Sequence, residues 1–275
     1  MRFDSAIDHY LDALANVRLA LRSPSTLIPF LIFGVVQALI LSALAFFTVP
    51  ALAGLMVPFV RALGGEAALH YPTSFVLLPA TYRLVYLPLV ATVGFALWSF
   101  GVWSMISHHD VGARTGTRSF RRALPNILAI GLVFVAVTVA AGRGLALLAA
   151  ELPAGIPSKL ATVGIIAVTA CAQALLIYAP AILRLRGGSA ITALRTSARY
   201  AQRMFIPTAL VIATVLLVHL PADALIGNAD VLAARFRPEI VFHLMVGSIV
   251  LEIVTAFLLF AGVVALALPE EGGLR

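Results

Sequence analysis

Apolar residues run almost without interruption over about 26–48, 82–106, 126–148, 160–183, 206–226 and 241–266 of this 275-residue chain. Each run has the length that a helix needs to cross a hydrocarbon layer roughly 30 Å thick. The pattern predicts an all-α polytopic membrane protein, with six transmembrane helices in three hairpins making one membrane domain over 1–275.

Between the runs the pattern changes to a helical period with one polar face. At the start, Phe3, Ile7, Tyr10, Leu14, Val17 and Leu21 recur at helical spacing, while Asp4, Asp8, Asp12 and Arg18 fall elsewhere. This predicts an amphipathic surface helix over 1–22, lying along the membrane. Its charges nearly cancel, so packing on the protein, rather than attraction to anionic lipid, is its expected anchor. Over 189–205, Ser189 is a good N-cap, and Arg195, Arg199 and Arg203 form one row away from Ile191, Leu194, Ala198 and Phe205. A shorter segment, 117–124, sets Phe120 and Leu124 against Arg118, Arg121 and Arg122.

Each surface segment leads into an aliphatic–proline pair and then a span: Ile28-Pro29, Leu124-Pro125 and Ile206-Pro207. Proline suits the first turn of a helix, where its missing N–H is no loss. The chain therefore reads as a weak internal repeat of surface helix, span, outer turn and span, a device common in transporter folds. The first unit is the longest, and its excess lies in the outer connection, 50–81. There Pro50 to Arg61 is apolar but too short to span. Gly64-Gly65 ends it, and Tyr71-Pro72 and Pro79 follow. The expectation is a short re-entrant or interfacial helix, serving as a lid on the bundle or as a docking element.

Composition agrees with the pattern. Hydrophobic residues make up 61% of the chain and charged ones 11%, against about a quarter charged in soluble domains. The net charge of +7 comes from arginines beside apolar spans, which argues for membrane orientation rather than nucleic acid. Arg2, Arg18, Arg22, Arg114, Arg118, Arg121, Arg122, Arg184, Arg186, Arg195, Arg199, Arg203 and Arg275 fall on one set of connections. Only Arg61, Arg83, Arg143, Lys159, Arg235 and Arg237 fall on the other. The positive-inside rule then places both termini and both arginine-rich loops in the cytoplasm, with the protein in the inner (plasma) membrane of a bacterium. The single cysteine, Cys171, lies inside a span, so no intrachain disulfide forms. No secretory leader is expected at the acidic start.

Candidate chemistry is sparse. Glu252 sits near the middle of the last span, where an ionised carboxylate costs about 2–3 kcal/mol on insertion scales. Gln37 and Gln173 lie at comparable depth, with Thr138, His219 and Thr255 as further polar positions. A cluster of Glu252, Gln37 and Gln173 reads either as a proton or substrate site or as interhelical glue. Arg143, between Gly142 and Gly144, reads as a side chain snorkelling to the outer headgroups. His108-His109-Asp110 is a poor metal motif, because neighbouring helical residues diverge. His219 and His243 lie near the outer ends of the last two spans, within possible reach of each other. Trp98, Trp103, Tyr82 and Tyr86 fit interfacial belts or helix packing. Small residues four apart, as in Gly34/Ala38, Ala136/Ala140 and Ala170/Ala174, permit close helix contacts. There is no P-loop, G-x-S-x-G elbow or H-E-x-x-H, so nucleotide hydrolysis, a catalytic residue, a cofactor and a metal are not expected.

The stretch Gly188-Ser-Ala-Ile-Thr-Ala-Leu-Arg195-Thr-Ser-Ala-Arg199-Tyr-Ala-Gln-Arg203-Met-Phe-Ile-Pro207, running into an apolar span, resembles the membrane domain attached to some bacterial glycerophosphodiester phosphodiesterases. Related multi-span bacterial proteins share the pattern. The phosphodiesterase domain has no counterpart here, so the resemblance implies a membrane domain without that activity. The layout of surface helix, six spans and cytoplasmic ends is also similar to permease subunits of ABC exporters. Those proteins elaborate their last outer connection, whereas this chain elaborates its first.

Two functions follow as expectations, ahead of a membrane-embedded lipid enzyme, for which no nucleophile, metal site or acid–base pair is visible. One is a non-enzymatic membrane subunit or accessory protein that binds lipid or partner proteins, with Arg118, Arg121, Arg122, Arg195, Arg199 and Arg203 as its contacts. The other is a permease or transporter component with Glu252 near a substrate or proton route. The expected partners are membrane lipid and other membrane or cytoplasmic subunits, with no nucleic acid.

Overall fold

The structure is a computed structural model that describes residues 11, 24–109, 116–150 and 158–272. Among the described residues it is helical nearly throughout, with no strand. Six helices are long and apolar enough to cross a membrane, and the fold is all-α and polytopic.

The elements are α1 (Pro24–Ala45), α2 (Pro50–Gly64), a 3-10 turn (Glu66–Leu69) and α3 (Thr73–Leu89). A π-helical segment (Val90–Gly94) joins α3 to α4 (Phe95–His109). They are followed by α5 (Gly116–Ala150), α6 (Ser158–Leu176), α7 (Ala179–Arg186), α8 (Ala190–Arg203), α9 (Phe205–Ile226), α10 (Ala229–Arg235) and α11 (Ile240–Gly272).

Several boundaries differ from those read off the pattern. The second span begins at Thr73 rather than near 82, so Pro79 lies inside α3 and not in a loop. The amphipathic segment 117–124 does not stop at Leu124-Pro125. It continues as one helix through Pro125. Pro29 likewise lies within α1, and of the three aliphatic–proline pairs Pro207 stands nearest its helix start. Spanning helices tolerate an internal proline because local readjustment and neighbouring groups satisfy the freed carbonyl. The fourth span is broken after Leu176, and Tyr178 caps a second helix with Pro180 in its first turn.

The chain groups into two compact units. The first contains residues 1–29, 91–214 and 257–275, and the second contains 30–90 and 215–256. Helices α1, α9 and α11 contribute to both units.

In the first unit, α5 meets α4 at backbone distance. A side chain at Gly131 would strike the Ala91 carbonyl and the Phe95 ring. Ring contacts between Phe95 and Phe134 (5.5 Å) and between Trp98 and Phe260 (5.8 Å) fill the space around them. Trp103 donates its indole N–H to the Pro180 carbonyl at 3.2 Å and supports the Arg184 guanidinium, 5.3 Å above its ring. Gly187 and Gly188, with φ of 67° and 95°, turn the chain from α7 into α8 through a region that other residues rarely enter. Ser189 then caps α8, accepting from the Thr192 N–H at 3.3 Å. Ala190, Ala193, Ser197, Tyr200 and Ala201 form its buried face.

In the second unit, Leu41, Leu44, Val60, Phe75, Leu78, Met245 and Ile249 belong to one apolar core. Helix α2 is too short to span, as its 15 residues imply. It buries Val60 and leaves Leu52, Leu55 and Phe59 exposed, Leu55 by 77%. Its end is marked by an exposed ion pair, Arg61 Nε to Glu66 Oε2 at 2.8 Å.

Candidate functional site

Three helices of the second unit each carry a pair of polar side chains about one turn apart. Helix α3 has Tyr82 and Tyr86, α9 has His219 and Asp223, and α11 has Glu252 and Thr255. Residues three or four apart share one helical face, so each helix presents both members of its pair on one side. Helix α1 adds Gln37, which is 0% exposed.

The close approach of α1 to α11 explains why Gln37 and Glu252 belong to one group. Gly34, one turn before Gln37, has no side chain, and the side chain of Ile253 occupies the place where a Cβ would stand. The Ile253 side chain thus fills the space beside the glycine and would have to shift for any larger residue there.

Glu252 is partly buried, and its Oε1 accepts a 2.8 Å hydrogen bond from the Tyr86 hydroxyl. The Tyr82 hydroxyl donates to Gln37 Oε1 at 2.9 Å. The two tyrosine rings lie 5.7 Å apart, tilted by 34°. Gln37 Nε2 is buried and makes no hydrogen bond.

One turn along α11, Thr255 Oγ1 lies 2.6 Å from His219 Nε2 and 2.9 Å from the Leu251 carbonyl. The Leu251 carbonyl only accepts, a common bond of threonine in helices, and the direction of the His219–Thr255 bond follows the imidazole tautomer. Asp223, exposed on α9, stands one turn beyond His219 on the same face of its helix. The site thus holds two carboxyl groups, two phenols, an imidazole and a primary amide within membrane-spanning helices. The carboxyl groups and the imidazole are the members suited to proton exchange, and the phenols serve as hydrogen-bond donors. None is arranged as a nucleophile with a base, and the described residues form no set of three or more His, Cys, Asp or Glu side chains placed to hold a metal.

The positions singled out from sequence fall as follows. Gln37 and Glu252 come together in the second unit, whereas Gln173 lies on α6 in the first. The three are therefore not one group within a single unit. Thr138 bonds back to the Phe134 carbonyl of its own helix. His243 is exposed and lies 2.8 Å from the Glu239 carbonyl, and His219 faces Thr255, so the two histidines have separate partners. Trp98 and Trp103 are buried in packing. Tyr82 and Tyr86 pack ring beside ring, as helix packing expects. They are hydrogen-bond donors of the site. Arg143 is exposed.

Arg195, Arg199 and Arg203 are exposed along α8, away from its buried face, and Arg121 and Arg122 are exposed on α5. The side chains of Arg118, His108 and His109, together with Asp110, lie outside the described residues. So does the expected surface helix over 1–22, apart from Leu11.

Sequence reasoning missed the tyrosines and Asp223. The one-turn pairs Tyr82/Tyr86 and His219/Asp223 were the available signal. Comparison with known proteins finds no matching family model, no significantly similar curated protein and no significantly similar solved structure.

Proposed function

We propose that this protein is a component of a membrane transport system in which Glu252 takes up and releases a proton. The observation that carries this reading is the convergence of Glu252, Asp223, His219, Tyr86 and Tyr82 in one unit of apolar helices. Ionisable residues in spanning segments are costly, and where they persist they mark ion or substrate pathways more often than not. A purely adhesive contact needs one or two hydrogen bonds, worth about 0.6–2 kcal/mol each, and gains nothing from a second carboxyl nearby. Here the exposed Asp223 offers an accessible carboxyl to a site whose inner member is Glu252.

The test is reconstitution into vesicles with an internal pH dye under an imposed potassium potential. Wild-type protein carries a proton flux, and Glu252→Gln abolishes it. Equal flux in both proteins rules out the relay.

A second reading rests on α8. Its arginine row suits anionic lipid headgroups or an acidic face of a partner subunit, in the manner of an accessory protein or of a permease docking on a separate ATPase. Under that reading, and with the arginine-rich connections in the cytoplasm, replacing Arg195, Arg199 and Arg203 by glutamate releases the partner or the anionic lipid. Purified wild-type and mutant proteins with equal partner and lipid content argue against it. The resemblance to the phosphodiesterase-associated membrane domain rests on the same helix and fits this second reading best.

A further inference from the structure

We infer that Arg184 is the centre of a phosphate-binding site at one end of the first unit, where α4, α5 and α7 meet. The inference is independent of Glu252 and of its protonation.

Between Glu66 and Asp223 the chain has two acidic residues, Asp110 and Glu151, and both lie outside the described residues. Helices α4 to α8 therefore carry no carboxylate among their described residues. They do carry Arg184 and Arg186 at the end of α7, Arg121 and Arg122 near the start of α5, and the arginine row of α8. Cations gathered without carboxylates of their own create a positive field that attracts an anion.

Arg184 is the member of this group that packing holds in place. Its guanidinium lies 5.3 Å above the ring of Trp103, which is itself buried. Phe120 meets the same ring edge-on at 5.1 Å, which brings the start of α5 to the ring that carries Arg184. A snorkelling arginine takes its charged head into water. Arg184 instead keeps Nε buried with no acceptor. Its one hydrogen bond among the described residues runs from Nη2 to Ser107 Oγ at 3.4 Å, and that hydroxyl donates to the Trp103 carbonyl at 2.8 Å. A guanidinium has five N–H donors in one plane, so most of this fork is left for a ligand.

Nε and Nη2 share one edge of the guanidinium, and that edge matches two oxygens of a phosphate group, the bidentate contact for which arginine is suited and lysine is not. The contact with Ser107 is long for a charged donor. An arriving oxyanion displaces it at little cost, while the aromatic ring keeps the guanidinium plane in position. The residue is half-buried rather than enclosed, which leaves it open to the surroundings. Arg121, Arg122 and Arg186 are exposed and add positive charge around it. Basic pockets between spanning helices hold phosphate-bearing headgroups in this way. The phosphate belongs either to an anionic lipid or to a soluble phosphate compound, and the test separates the two.

The chain has two tryptophans, Trp98 and Trp103. In a Trp98→Phe background, Trp103 is the sole one and reports on the guanidinium above it. The delipidated protein in a maltoside detergent, which contains no phosphate, is titrated with inorganic phosphate or with phosphatidylglycerol added to the micelles, at constant ionic strength. The expected result is a saturable change in Trp103 emission. Saturation with inorganic phosphate identifies a soluble source, and saturation with phosphatidylglycerol alone identifies a headgroup. Arg184→Gln should weaken binding by at least about tenfold, the loss of one charge-assisted contact. Arg184→Lys should also bind more weakly than the parent, because it keeps the charge and loses the fork. Arg235→Gln, an exposed arginine of the second unit, should bind as the parent does. No saturable change with either titrant overturns the site. Parent-like affinity in Arg184→Gln, or an equal loss in Arg235→Gln, overturns it as well. Should Arg184→Gln fail to fold, parent-like affinity in Arg184→Lys overturns the bidentate contact.

Discussion

The Tyr86 hydroxyl donates to Glu252 Oε1 at 2.8 Å across 166 residues of sequence. This bond joins the second spanning helix to the last and supplies the carboxyl group with a donor inside the bilayer. Without it, an acid in the middle of an apolar helix has only costly alternatives.

Replacing Glu252 by glutamine should preserve assembly, because the amide oxygen still accepts from Tyr86. Leucine should not be tolerated as well. It leaves the Tyr86 hydroxyl without that partner, at about 1–3 kcal/mol for a buried group left unpaired. Thermal unfolding in detergent should rank the proteins wild type, Glu252→Gln, Glu252→Leu. Equal stability of the two mutants would show that the hydrogen bond contributes nothing.

Tyr86→Phe removes the donor and keeps the ring. The expected loss is roughly 0.6–2 kcal/mol, the range for an interhelical hydrogen bond in a membrane protein. Combining it with Glu252→Leu should cost less than the sum of the single changes, because both delete the same bond. Strict additivity in the double-mutant cycle contradicts the pairing.

Gly34→Ala should be destabilising although alanine favours helices, since its Cβ would occupy the place of the Ile253 side chain. Overpacking of this kind costs about 1–3 kcal/mol. Shortening the neighbour should restore fit, so Gly34→Ala with Ile253→Ala should be more stable than Gly34→Ala with Ile253 intact. A double variant no better than the single one would place the damage elsewhere.

Ser189→Ala removes the acceptor for the Thr192 N–H and should weaken the start of α8 by about 1 kcal/mol. Hydrogen exchange of the first-turn amides of α8 should quicken, with those near Arg203 unchanged. A uniform response along the helix would mean that packing of the buried face, not the cap, holds it.

The arginine distribution predicts sidedness. In a Cys171→Ser background, a cysteine at Arg199 should react with an impermeant thiol reagent only from the cytoplasmic side, and one at Glu66 only from the opposite side. Labelling of both from one side would refute an odd number of crossings between them.

The number and position of the spans were legible because hydrocarbon imposes a length and an apolar composition on each helix separately. Neither depends on what the helix touches. The exposed arginine row of α8 was equally local, since Ser189 and the i, i+4 spacing set the helix start and its polar face. Where the helices begin and end was less so. Pro79 and Pro125 read as punctuation, yet both lie within helices, because a membrane helix resolves a missing N–H with groups that the local sequence does not show. The π-helical segment after α3 was invisible for the same reason. Its i→i+5 bonds replace a single stretch of the regular ladder without a proline or glycine pair to mark it.

Sequence alone determined that Glu252 needs a partner, since the cost of a carboxyl in lipid is a property of one residue and its depth. Tertiary structure decided the partner. Gln37 and Gln173 were equivalent by depth, and the packing of the second unit turned two tyrosines into donors, Tyr82 to Gln37 and Tyr86 to Glu252. Depth follows from counting along one helix, whereas neighbours follow from how separate helices fit together.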